Sequence, residues 1–186
     1  MLISARQDGS EMQSYGRTYK LLHWGMALLV IAAIMLVEFK GLLPGKQMRH
    51  EAVALHVQAG LCVFLLVWVR IAWRSTHAVP PVVPPLSRAQ ETAAHLVHAG
   101  LYILMAVLPF LGILALQSKG RDVSFLGMPL PILLDEQKGL PYSLSIRSYH
   151  ELLGNILIAT IVLHVLSAWV HHLVRRDNTL KRMLPL

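Results

Sequence analysis

Cysteine is almost missing from this chain: Cys62 is the only one among 186 residues, so no disulfide can form within it. For the same reason there is no Cys-x-x-Cys-His motif, and any haem must be held without a covalent link. Charge is scarce too, at 15% of residues, where soluble domains carry about 25%. There is no internal repeat, and the only biased tract is a proline cluster at Pro80, Pro81, Pro84 and Pro85. What fills the chain is apolar: 55% of residues are hydrophobic and the mean hydropathy is +0.53.

The apolar residues fall into four runs, at about 21–39, 52–73, 96–116 and 150–174, each near the ~17–25 residues that cross a hydrocarbon core as a helix. Lipid offers the backbone no hydrogen bonds, so the spans should be helices. The predicted fold is all-α, an integral-membrane four-helix bundle in residues 15–186, with ligand sites between facing helices. The first run is too long and too strongly flanked by charge for a cleavable signal and is expected to stay as the first helix. Residues 1–14, polar and rich in small side chains, are expected to be a disordered tail. The stretch 117–149 exceeds an idle connection in length and is expected to cover a site.

The net charge of +7 would suggest nucleic acid in a soluble protein. Here the basic residues flank spans and no soluble basic domain remains, so no nucleic-acid partner is expected. Four spans put both ends on one side. That side carries ten Lys and Arg, including Arg70, Arg74, Arg175 and Arg176; the other has seven, Lys40, Lys46, Arg49, Lys119, Arg121, Lys138 and Arg147. The bias places both termini in the cytoplasm.

Histidine carries the chemistry. His150 and His164 lie fourteen residues apart in one run, about 21 Å along a helix and almost four whole turns, so both point to one face. With the amino terminus inside, His23 in the first helix lies near the inner surface and His56 in the second near the outer. Matching by depth pairs His56 with His150 outside and His23 with His164 inside. Facing imidazoles of this kind can supply both axial ligands of a haem iron. Gly60 and Gly154, one turn beyond His56 and His150, would let a flat macrocycle approach, although close helix packing is the favoured reading for them. His95 and His98 share a face near the inner surface and read as interfacial or quinone-side residues. His50 and His77 read as solvated residues in connections. His171 shares the face of His164 at the inner surface, and His172 reads as an interface anchor.

The joint pattern is specific. His23-Trp24, EFKGLLP at 38–44, HxxxG at 56–60, HLVH at 95–98, HELLGN at 150–155, the histidines at 164, 171 and 172, and DNTLKRMLP at 177–185 together resemble the bacterial cytochrome b561 family. The likeness covers residues 15–186. It implies a bacterial inner-membrane protein with two noncovalent b-type haems, the inner held by His23 and His164 and the outer by His56 and His150. It also implies contact between His171 and ubiquinone. Within the family, the likeness runs closest to members that oxidise superoxide and reduce ubiquinone.

The expected activity is therefore that of an oxidoreductase: a one-electron donor, superoxide, meets the outer face, and the quinone pool takes electrons at the inner face. The outer cations would concentrate an anion, with Arg147 the leading candidate because it lies just before His150. Arg70 or Arg74 would assist at the quinone. The alternative reading is a cytochrome subunit or anchor of a larger dehydrogenase, without activity alone.

Overall fold

The computed structural model describes residues 14–134 and 143–184. The expected disordered tail, apart from Ser14, and the loop cation Lys138 lie outside the described residues. Four long helices dominate: α1 (Arg17–Glu38), α2 (Gly45–Thr76), α3 (Arg88–Gln117) and α4 (Ser143–Val170). Each is long and apolar enough to cross a membrane, and the bundle's outer surface is apolar, with Leu28, Leu65, Ile103 and Leu163 all exposed. That inversion, apolar outside as well as in, suits hydrocarbon as the solvent.

All four helices begin before their apolar runs. Helix α2 starts at Gly45, where Pro44 is extended and Gly45 itself has φ +77°. His50 is therefore a helical residue and not part of a connection. Helix α3 starts at Arg88 behind a reciprocal cap, in which the Ser87 hydroxyl accepts from the Gln90 amide and the Gln90 side chain accepts from the Ser87 amide. Helix α4 keeps α geometry only to Val170. Beyond it His171–Arg175 forms a π-turn, ended by Arg176 in the left-handed region at φ 55°.

The helices associate as two hairpins. Helix α1 lies along α2, α3 lies along α4, and α2 meets α3, whereas α4 makes little close backbone contact with α1 or α2. The buried core at mid-depth is apolar: Met26, Val30, Val63, Val67, Leu104, Leu108 and Leu157. It separates two levels at which histidines gather.

Both ends are tied down. Beyond α3, the antiparallel pair β1 (Ser124–Phe125) and β2 (Met128–Pro129) is held on α2 by Gln58, whose amide donates to the Ser124 carbonyl (2.7 Å) and accepts from the Leu126 amide (3.0 Å). Gln117 donates to the Pro131 carbonyl and accepts from the Leu133 amide, both at 2.9 Å. At the other end, residues 177–184 cross the bundle. Asn178 pairs with Val83 in the proline link, Arg182 donates to the Pro80 carbonyl, and the Met183 carbonyl accepts from the Trp24 indole at 2.9 Å.

Candidate functional site

At the level farther from the 177–184 stretch, termed outer as the level beside that stretch is termed inner, the His56 and His150 rings face each other with centres 6.2 Å apart. Each ring is fixed through Nδ1: His56 bonds the Ala33 carbonyl at 2.8 Å and His150 the Leu108 carbonyl at 3.1 Å. A carbonyl only accepts, so Nδ1 carries the proton in both rings and Nε2 keeps its lone pair. Two lone pairs with oriented rings are what a metal needs from axial imidazoles. A metal–imidazole bond is about 2.0–2.1 Å, which puts the centres of two rings on opposite sides of one metal about 6 Å apart.

Between the hairpins lies a cavity of about 570 Å³ that includes both rings, with Val30, Val63, Leu108 and Leu157 among its apolar walls. Gly60 and Gly154 also line it, and a Cβ on either would find no atom within 4 Å. The favoured sequence reading, close helix packing at these glycines, is therefore corrected: they face open volume. An apolar slot with glycine walls and two opposed imidazoles fits a haem.

Gly112 is different. A Cβ there would sit 3.2 Å from Cε1 and 3.6 Å from Nδ1 of His150. Nothing in the chain's order could show that Gly112 backs a ring from another helix. Gly112→Ala should displace the His150 ring by a few tenths of an ångström and weaken its bond to the Leu108 carbonyl. For a haem held between His56 and His150, the expected result is about tenfold faster loss to a scavenging apoprotein.

The inner level brings together three rings. His23 and His164 lie 6.3 Å apart, matching the outer spacing. His98 lies 5.2 Å from His164, edge to face, with Nδ1 bonded to the Ala94 carbonyl at 2.6 Å. The separation of His98 from His164 is shorter than two rings spanning one metal require, so His23 is the better opposite partner. Among the described residues the buried Nδ1 of His23 has no hydrogen-bond partner, so this ring is not fixed in the way the outer pair is. His95, expected to act with His98, is exposed on α3.

Other predicted residues separate into distinct settings. Arg147 is exposed and engaged by Glu151 at 2.7 Å, one helical turn on. Glu151, Lys40 and Glu38 line the outer cavity, so Lys40 is the loop cation placed at its wall, a position that spacing along the chain did not reveal. Arg70 donates to the Tyr102 hydroxyl (3.1 Å) and lies 5.9 Å from the ring centres of Tyr19 and Tyr102. Arg74 donates to the Tyr19 hydroxyl at 3.2 Å. Among the described residues, neither arginine is hydrogen-bonded to His171. His171 is held by Asp177, whose carboxylate accepts from Nδ1 at 2.6 Å. Burial pushes the Asp177 carboxyl upward, but hydrogen bonds from His171 and from the Thr179 amide outweigh it and hold the group below its usual range. His172 is half-buried at the same end.

Comparison with known proteins agrees with this architecture. The profile of the prokaryotic cytochrome b561 family matches residues 14–186. The chain is 34% identical to the probable superoxide oxidase CybB of Yersinia pestis, over 88% of this chain and 92% of that protein. It is 33% identical to cytochrome b561 homolog 1 of Escherichia coli (strain K12), over 94% of this chain and 98% of the relative. Cytochrome b561 homolog 2 of the same organism is 26% identical over 92% of each. Taken with the four apolar helices and their facing histidines, the match shows that the chain belongs to the prokaryotic cytochrome b561 family of haem-carrying membrane electron-transfer proteins.

Proposed function

We propose that this chain is a di-haem b-type cytochrome of the bacterial inner membrane, with both termini cytoplasmic, that oxidises superoxide outside and reduces ubiquinone inside. The observation that carries the reading is one spacing that recurs at two depths: paired imidazoles with centres 6.2 and 6.3 Å apart. In this reading His56 and His150 hold the outer haem and His23 and His164 the inner. Bound haem supplies a one-electron carrier at each level, and the protein sets its orientation and potential. The carbonyls of Ala33 and Leu108 orient the outer ligands, and the apolar core between the levels excludes water.

At the outer face, Arg147 and Lys40 draw in the anion. Two superoxide anions each give up one electron, and ubiquinone takes two electrons and two protons at the inner face near His171. Arg70 and Arg74, anchored on Tyr102 and Tyr19, are assigned to the quinone's surroundings. Electron flow inward with proton uptake on the inner side makes the reaction electrogenic. The superoxide assignment draws support from the name of the Yersinia relative.

The two Escherichia relatives are named only as cytochromes, and that favours keeping a second reading, an electron-transfer subunit or anchor of a larger dehydrogenase. One preparation decides between them. A dithionite-reduced minus oxidised spectrum with a pyridine haemochromogen titration should give two b-type haems per chain. The isolated protein should then reduce a ubiquinone analogue when superoxide is generated, at a rate that falls as salt rises. Two haems with no superoxide-driven reduction would support the subunit reading, and absence of haem would remove both.

A further inference from the structure

The inner end of α4 holds an ion pair that haem ligation does not use. Asp177 has a fully buried side chain at the foot of a membrane helix, a costly place for a carboxylate. Its partners explain how it is kept there. Oδ2 accepts from His171 Nδ1 at 2.6 Å, Oδ1 accepts from the Thr179 amide at 2.9 Å, and Arg175 Nε lies 3.5 Å away. The backbone is shaped to deliver it. The π-turn over His171–Arg175 and the left-handed Arg176 fold the chain back, so that the Asp177 amide donates to the His171 carbonyl at 3.1 Å.

A carboxylate that takes the Nδ1 proton of an imidazole fixes its tautomer and orientation. It also stabilises the ring when the other nitrogen gains a proton. His171 Nε2 makes no hydrogen bond among the described residues, and it is not among the buried polar atoms left without a partner. It is the nitrogen left to exchange a proton.

We infer that Asp177 is a positioning residue of the quinone site, holding His171 with Nδ1–H toward the carboxylate so that Nε2 passes a proton to a quinone oxygen. This rests on the proposed function. A quinone leaving as quinol has taken the two electrons given up by two superoxide anions, together with two protons. Nε2 of His171 takes up one of these from water at that surface and passes it to the quinone oxygen, which returns the ring to its Nδ1–H form. The other comes from the same water.

The test is made on the haem-loaded full chain in nanodiscs, with ¹⁵N-labelled histidine and His171→Gln to assign the signal. Wild-type His171 should show the Nδ1–H tautomer, and Asp177→Asn, whose amide can donate to Nδ1, should shift it toward Nε2–H. Haem content should stay unchanged, while ubiquinone reduction falls by about tenfold or more. Asp177→Asn should cost nothing further in a His171→Gln background, because the carboxylate acts through that ring. An Nε2–H tautomer in the wild-type protein would overturn the inference without any variant. Losses that multiply in the double variant would overturn it too, since they would make Asp177 only a brace for the chain end. A wild-type protein with the Nδ1–H tautomer but no quinone reduction would sink the proposed function and not the His171–Asp177 geometry.

Discussion

His56→Ala and His150→Ala each remove the same spectral component, and His23→Ala and His164→Ala each remove the other. That is the largest effect expected of any single change, because one axial imidazole cannot be replaced by a methyl group. The haem count should drop from two per chain to about one in each variant, with affinity at the affected level down by more than about 100-fold. The pairing links residues far apart in the chain, His56 to His150 across α2 and α4, and His23 to His164 across α1 and α4. A redox titration of the four variants checks it: two classes of two are expected. If His23→Ala and His56→Ala lost the same component, matching by depth would be wrong. His98→Ala is the control at the inner level. Its ring is closer to His164 than that of His23, yet it should leave both haems in place.

The second large effect comes from filling a space. Gly154→Leu places an isobutyl group where a Cβ meets no atom within 4 Å, inside the cavity shared by His56 and His150. The added Cβ meets no atom and the rest of the side chain projects into the cavity, so the helices should assemble normally. A flat macrocycle, however, can no longer enter, and the outer component should be lost while the inner stays above about 80% of its wild-type amplitude. Ala159→Leu, at an exposed position on the same helix, should leave both components intact. If Gly154→Leu kept both haems, the slot between the hairpins would not be the outer site.

Much of this site can be read along the chain because helix geometry is regular. Rise per residue sets depth and 3.6 residues per turn sets direction, so fourteen residues between His150 and His164 suffice to place two imidazoles on one face near opposite surfaces. The same regularity covers His23 and His56 once the direction of each span is set. What could not be read depends on contacts between helices or on departures from the helix. The backing of His150 by Gly112 is a contact of α3 with α4. The open volume beside Gly60 and Gly154 exists because α4 stands off α1 and α2, and the same two glycines in a tight bundle would have served packing. All four helices start ahead of their apolar runs because polar first turns, such as those after Gly45 and Arg88, carry no apolar signal. The pairing of His171 with Asp177 follows from a π-turn and a left-handed arginine that no periodicity announces.

The chain between Asp177 and Leu184 has a bearing on how the protein is made. Its Asn178, Arg182 and Met183 reach the proline link and Trp24, next to His23, while the Tyr15 amide donates to the Arg182 carbonyl at 3.1 Å. The stretches flanking the first and the fourth helix are thus neighbours in space although the ribosome makes them far apart in time. The outer pocket can be outlined as soon as α4 has entered the membrane. The ties at the opposite end wait until this strap has emerged and docked, so that end of the bundle should be the last to close during biogenesis.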